Sequence, residues 1–170
     1  MAPASLARLS ERRDLLLIAA AAVAVNLIGA LGVPFTATES AWFAALELPS
    51  YYPPNWAFGV VWPILYAMIG AAPALVYLAG RNGTASSGRV RTALGLFAVQ
   101  LVVNVAWSPV FWGLERPDLG LVVLGVLSVL VVATAAAFAR VDRRAALLLV
   151  PYFAWVCFAT ALNYGIWALN

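Results

Sequence analysis

The chain has 170 residues, of which 65% are hydrophobic and only 10% are charged, and its mean hydropathy is +0.94. This composition lies far outside the range of soluble globular domains and predicts an integral membrane protein. The sequence has one cysteine, Cys157, which excludes an intramolecular disulfide and a paired-cysteine metal site. It has no histidine, the commonest metal and haem ligand.

Five uncharged stretches each reach the roughly 20 apolar residues that a helix needs to cross a bilayer. They predict helices at about residues 14–33, 54–79, 90–112, 119–139 and 145–169. Because these helices use nearly the whole chain, we expect one all-α transmembrane domain over residues 1–170, with a long loop between the first two helices. The first apolar stretch is longer than the core of a signal peptide, so we expect it to be retained as a helix.

Arginines distinguish the two sides of this predicted bundle. Of the ten basic residues, all are arginine, and only Arg116 falls on the side of the long loop. The other side carries Arg8, Arg12, Arg13, Arg81, Arg89, Arg91, Arg140, Arg143 and Arg144. The positive-inside rule therefore places the N-terminus in the cytoplasm and the long loop and the C-terminus on the other side. We expect a multi-pass protein of a prokaryotic cell membrane. The net charge of +3 then reflects topology, and we expect no nucleic-acid partner.

The loop between the first two helices is rich in aromatic residues and proline over residues 42–56, WFAALELPSYYPPNW. It is too apolar for an ordinary solvated loop, and proline can fix its shape with few backbone hydrogen bonds. We therefore interpret it as a lid over an apolar site, with a short interfacial helix at about residues 39–46.

Three of the predicted helices carry aromatic residues and amides along one face. On the second helix, Phe58, Trp62 and Tyr66 recur every four residues. The other two stripes contain Gln100, Asn104, Trp107 and Phe111 on the third helix, and Trp155, Phe158, Ala159, Leu162 and Asn163 on the fifth. Amides within hydrocarbon need partners, so we expect these faces to enclose a pocket between helices one, two, three and five. The fourth helix is mostly Val, Leu and Ala and is expected to face lipid.

Three segments carry a resemblance to a known family. They are WFAALELPSYYPPNWAFGVVWPILYAMIGAA from Trp42, QLVVNVAWSPVFWG from Gln100 and PYFAWVCFATALNYGIWALN from Pro151. In order and spacing these blocks resemble the TspO/MBR family of tryptophan-rich sensory proteins and translocator proteins, over the full five-helix length. The resemblance implies a five-helix bundle, often a homodimer, whose lid covers a cavity that binds porphyrins.

The resemblance also implies which residues form the site. Together with the aromatic stripes it indicates ligand-binding positions at Trp62, Asn104, Trp155, Ala159, Trp42, Phe58, Tyr66, Trp107 and Phe158. The expected lid positions are Pro49, Pro53, Pro54 and Trp56. Leu162 and Tyr164 begin a sterol-recognition pattern, but no basic residue completes it.

Structural roles compete with these assignments. Aromatic residues on membrane helices more often pack the core or lie at the interface, as we expect for Trp112 and Trp167 near helix ends. Asn104 equally fits an interhelical hydrogen bond.

Three function classes stay open. The first is a receptor or translocator that binds porphyrins or similar flat apolar ligands, in tetrapyrrole transport or in sensing of stress, light or oxygen. The second is a light-dependent porphyrin-degrading enzyme, for which the sequence offers no catalytic residue, metal site or resident cofactor. The third is an ion-coupled transporter, which is disfavoured because no ionisable residue lies within the predicted spans.

Overall fold

The structure, a computed structural model, describes the backbone of residues 4–170 and the side chains from residue 11 onward. Within that range it contains helices and no strand. The helices are α1 (Ala4–Gly29), α2 (Ala41–Ala45), α3 (Asn55–Arg81), α4 (Ser87–Ser108), α5 (Pro117–Ala139), α6 (Arg143–Leu148) and α7 (Val150–Leu169). A 3₁₀ segment, Ala30–Phe35, extends α1, and a π-helical segment, Pro109–Gly113, extends α4. The side chain of Arg8, counted above, lies outside the described residues.

The described residues form five helical units that are long and apolar enough to cross a membrane. These spans are Glu11–Phe35, Asn55–Arg81, Ser87–Gly113, Pro117–Ala139 and Arg143–Leu169. The expected all-α fold with five spans is thus confirmed. The last span differs from one continuous helix because it is interrupted at Leu149, between α6 and α7. Pro151 has no N–H to donate to the carbonyl four residues earlier, which accounts for the interruption.

The centre of the bundle is α3, which packs against α1, α4, α6 and α7. It approaches the backbone of α1 closely at Gly70, where an added Cβ would lie 2.5 Å from the carbonyl oxygen of Ala21 and 2.7 Å from the Cα of Ala22. Small residues thus let the two backbones touch, as is typical of membrane helix pairs.

The expectation that the fourth helix merely faces lipid is wrong for one of its faces. This helix, α5, packs against α4, α6 and α7. Its inner face is buried at Gly120, Leu124, Leu127, Val131, Thr134 and Phe138. Only the opposite face, which includes Val122 and Val129, is exposed. An all-apolar helix gives no periodic signal for the face that packs inward, so the sequence pattern could not separate the two.

The long loop folds over one end of the bundle, which we call the lid end. It contains α2, whose first turn is capped by Ser40, because the Ser40 Oγ accepts a hydrogen bond from the Phe43 N–H at 3.1 Å. The expected short helix is therefore present. Two contacts attach the loop to α7: the Tyr51 hydroxyl donates to the carbonyl of Ala161 at 3.0 Å, and the Asn170 side chain bonds both backbone groups of Glu47.

Candidate ligand-binding cavity

A cavity of about 590 Å³ lies beneath the loop at the lid end. This volume is within the range of small-molecule sites, roughly 300–1,000 Å³. Every span contributes to the wall, including α5 through Leu124 and Leu127. The pocket expected between helices one, two, three and five therefore also has a wall from the fourth.

Aromatic rings form two walls that meet at a right angle. On α3, Trp62 stacks on Tyr66, with ring centroids 5.1 Å apart and planes 24° apart. Trp155 of α7 forms a T-shaped pair with Trp62, with ring centroids 6.1 Å apart and ring planes 81° apart. Phe58 continues this arrangement, at 5.9 Å and 76° from Trp155. Offset-stacked and edge-to-face pairs of this kind are the favoured geometries between aromatic side chains.

The π-helical segment after α4 supplies a third wall. Pro109 cannot donate a backbone hydrogen bond, and the N–H of Leu114 reaches back five residues to the Pro109 carbonyl at 2.9 Å. The wider turn brings Phe111 and the adjacent Trp112 both to the cavity. Phe111 also stacks on Trp107 of α4, with centroids 4.9 Å apart.

A buried hydrogen-bonded network forms the floor of the cavity. The Tyr66 hydroxyl donates to Asn104 Oδ1 at 2.8 Å, and Asn104 Nδ2 donates to the Tyr152 hydroxyl oxygen at 2.9 Å. Gln100 Nε2 donates to the same oxygen at 2.8 Å. The network joins α3, α4 and α7, so it fixes the relative position of three spans. Buried amides in a membrane need such partners.

A second hydrogen-bonded chain joins α4, α5 and α7 nearer the lid. Trp107 Nε1 donates to Asn163 Oδ1 at 3.2 Å, and Asn163 Nδ2 donates to the Pro117 carbonyl at 2.8 Å. Gly120 leaves room for this contact, because an added Cβ there would lie 2.7 Å from Asn163 Oδ1. Asn163 therefore satisfies the Trp107 indole N–H and joins α7 to a carbonyl in the first turn of α5.

The structure brings most of the predicted site residues together. Those that line the cavity are Phe58, Trp62, Tyr66, Asn104, Trp107, Trp155 and Ala159. Trp42 and Phe158 are not in the wall: Trp42 packs on Phe111 and Trp112, and Phe158 packs on Trp155. Both lie directly behind residues that line the cavity.

The predicted lid residues do not line the cavity either. Pro49 is buried beside Gly165 of α7, where an added Cβ would meet its ring at 3.1 Å. Pro53 and Pro54 precede α3, and Trp56 is 71% exposed, so none of them lines the cavity. The loop residues that do face it are Thr36, Thr38, Phe43 and Tyr52.

Pattern reasoning missed several wall residues. The sequence pattern gives Phe43 and Tyr52 no specific role within the apolar loop, and the position of Trp112 near a helix end predicts an interfacial residue. Because the π-helical segment turns it inward, Trp112 lies instead in the cavity wall. The leucines of α5 carried no signal, since apolar residues are equally typical of a lipid-facing surface.

The cavity wall carries no charged side chain among the described residues. Arg116, the cation on the lid side, is paired with Asp118 through Nε at 2.7 Å. Burial raises the pKa of the Tyr52 hydroxyl above its usual range, so this loop residue is a neutral donor. Within the described residues there is no cluster of three or more His, Cys, Asp or Glu side chains that could hold a metal ion.

Comparison with known protein sequences identifies the family of this chain. A sequence profile described as the TspO/MBR family covers residues 18–168. The chain belongs to the TspO/MBR family. A tryptophan-rich protein TspO of Chlorobaculum tepidum is 42% identical over 84% of this chain and 89% of its own. A tryptophan-rich protein TspO of Archaeoglobus fulgidus is 39% identical over 92% of this chain and 99% of its own length. The translocator protein of Homo sapiens is 39% identical over 76% of this chain and 75% of its own length. This TspO/MBR protein is therefore an integral multi-pass membrane protein.

Proposed function

We propose that this protein is a membrane receptor or translocator that binds a tetrapyrrole, such as a porphyrin, in the cavity at the lid end. The observation that carries the proposal is a cavity of about 590 Å³ with perpendicular aromatic walls and no charged side chain in its described lining. Relatives named translocator protein support the coarser role of receptor or translocator.

The geometry favours a flat aromatic ligand. A planar macrocycle can stack on one wall and receive the ring edges of the other, the arrangement already present between Trp62 and Trp155. Transfer of its apolar faces from water is favourable by about 25 cal/mol per Å². The binding residues we propose are Phe58, Trp62, Tyr66, Trp107, Trp155 and Ala159.

Asn104 has a positioning role in this proposal. Its side-chain oxygen and nitrogen both have partners in the floor network, Tyr66 and Tyr152. The propionates of a porphyrin would then lie at the lid end, where Thr38, Asn55 and Tyr52 provide uncharged polar groups.

A light-dependent enzyme is the second candidate, favoured by one observation. Trp62 contacts both Tyr66 and Trp155, and all three are readily oxidised side chains that would lie beside a bound pigment. Light would be needed to generate the oxidant, so the two candidates give different results in darkness and under illumination.

The experiment is titration of detergent-purified protein with protoporphyrin IX, followed by tryptophan quenching and by the pigment's absorption bands. Trp155→Phe keeps a ring but shortens the wall, and we expect about tenfold weaker binding from the lost area. Trp167→Phe is the matched control, because Trp167 is 49% exposed and lies outside the cavity lining. It removes one fluorophore and should leave the affinity unchanged.

Illumination of the same samples separates the candidates. Saturable binding with stable absorption bands supports a receptor or translocator. Loss of the bands in the wild type and in Trp167→Phe, but not in Trp155→Phe, supports the enzyme. Absence of saturable binding in the wild type would remove the tetrapyrrole assignment.

Orientation and assembly are part of the same proposal. The arginines of the described loops and helix ends support a cytoplasmic N-terminus in a prokaryotic cell membrane. A homodimer is expected from the resemblance. One face of α4 is open to a second copy, because an added Cβ at Gly88 or Gly95 would have no neighbour within 4 Å.

The orientation can be tested with two cysteine variants, Ser86→Cys and Ser50→Cys, each made together with Cys157→Ala. Each variant has a single exposed thiol, and the two thiols lie at opposite ends of the bundle. Labelling them from each side of sealed vesicles would test the orientation.

A further inference from the structure

A second apolar depression lies on the outer surface of the bundle, away from the cavity and toward the arginine-rich end. It is a groove of about 310 Å³ between α5 and the start of α7. Its walls include Val132 and Ala136 on one side and Leu149, Val150 and Phe153 on the other. Val132 and Val150 are more than half exposed, so the groove faces the hydrocarbon.

The groove arises from local sequence. Ala135 and Ala136 are small, and they leave space opposite the ring of Phe153. On the other wall the helix is interrupted at Leu149, between α6 and α7.

Each wall leads to an arginine at the membrane surface. On α5, Val132, Ala136 and the cap residue Arg140 are spaced four apart and therefore lie on one face. On the other wall, Arg143 precedes Val150 by two helical turns. The linking residue between them, Leu149, keeps helical backbone angles (φ −86°, ψ −10°).

These two arginines differ from their neighbour Arg144. Arg144 is bonded to Asp142, with Nη2 2.8 Å from Oδ2. Within the described part of the chain, neither Arg140 nor Arg143 has a carboxylate within 4 Å. Both are exposed, so their guanidinium groups can reach an anion at the end of the groove.

We propose that this groove binds an acyl chain of an anionic phospholipid whose phosphate is held by Arg140 and Arg143. A phospholipid has an anionic phosphate at the membrane surface and apolar chains in the hydrocarbon. The groove matches this arrangement, because its arginines lie at the surface and its apolar walls lie in the hydrocarbon. Arginine binds phosphate through paired N–H donors, and each basic residue near the surface favours an anionic headgroup. A zwitterionic lipid would bring an ammonium group toward the same arginines and bind less well.

The test is native mass spectrometry of the full chain titrated with phosphatidylglycerol or with phosphatidylcholine. We expect the first phosphatidylglycerol to bind roughly tenfold more tightly than the first phosphatidylcholine. Each arginine contributes about a fivefold preference for the anionic lipid, and solvent screening reduces the combined effect of the two. Arg140→Gln with Arg143→Gln should remove that difference. Arg12→Gln with Arg13→Gln changes the net charge equally on α1 and should keep it.

A second pair of variants tests the groove itself. Ala136→Trp fills it and should weaken the first binding event of both lipids, whereas Val129→Trp, two turns away on the exposed face of α5, should not. Equal affinity for the two lipids in the wild type would overturn the proposal, as would equal effects of the two arginine pairs. A dimer that only Ala136→Trp dissociates would assign the groove to a second copy of the chain and also overturn it.

Discussion

The two ends of the α1–α3 pair differ in how closely the helices approach. Toward the arginine-rich end, Gly70 lies directly against the backbone of Ala21 and Ala22. Toward the lid end, the Tyr66 ring lies against Gly29, and an added Cβ at Gly59 would meet nothing within 4 Å. The two helices therefore touch where both carry small residues, and they are farther apart where α3 carries the aromatic ring of Tyr66. The cavity exists because aromatic side chains hold the helices apart, and the close contact at Gly70 keeps the pair together.

The largest expected effect is at the close contact. Gly70→Ala places a Cβ 2.5 Å from a backbone oxygen, so a helix must move. We expect a loss of about 2–3 kcal/mol in stability, measured as a lower Tm in detergent. Gly59→Ala makes the same change on the same helix in open space and should leave the Tm unchanged or raise it slightly. Equal effects of the two substitutions would contradict the comparison.

Next in size is the floor network between the two ends. Tyr152→Phe leaves Gln100 Nε2 and Asn104 Nδ2 without their shared acceptor. We expect a loss of about 1–2 kcal/mol, also seen in the Tm. Tyr77→Phe is the control, because Tyr77 is 47% exposed. A Tm drop no larger than that of the control would show that the network contributes little.

The cavity itself should respond in binding and not in stability. Ala159→Leu extends a side chain into the cavity, and we expect about tenfold weaker protoporphyrin IX binding with little change in Tm. Ala154→Leu makes the same change on the exposed face of α7 and should not alter the affinity. Unchanged affinity in Ala159→Leu would place the ligand elsewhere.

A smaller effect is expected at the rim of the arginine-rich end. Asp142 caps α6 by accepting a hydrogen bond from the Arg144 N–H at 2.8 Å, and Asp142→Ala should cost about 0.5–1 kcal/mol. The side-chain bond from Arg144 holds the pKa of Asp142 below its usual range. Its stabilisation is therefore present above the unfolded pKa and lost as pH falls through the folded pKa. Tm measured against pH should show the wild type and the variant converging in acid, and a constant difference would contradict this.

The smallest effect concerns the ligand's charge. Because no charged side chain lines the described cavity, protoporphyrin IX dimethyl ester should bind within about twofold of the free acid. The same quenching titration measures both. Much weaker binding of the ester than of the free acid would indicate that a cation outside the cavity lining contacts the propionates.

The amino-acid sequence by itself determined the membrane class, the number of spans and the residues of the aromatic faces. These follow from local properties: an uncharged run of sufficient length must cross the bilayer, and rings four residues apart must share a helical face. The three sequence blocks also indicated Trp62, Asn104 and Trp155, all of which lie at the cavity.

Tertiary structure decided what local pattern cannot. The inward turn of Trp112 depends on a π-helical segment, and the wall from Leu124 and Leu127 depends on which face of an apolar helix meets its neighbours. Trp42 and Phe158 are aromatic, as the cavity residues are, but they pack behind Phe111 and Trp155, which already fill the space at the wall. Apolar side chains have no preference between lipid, core and cavity, so only the packing of the whole bundle assigns them.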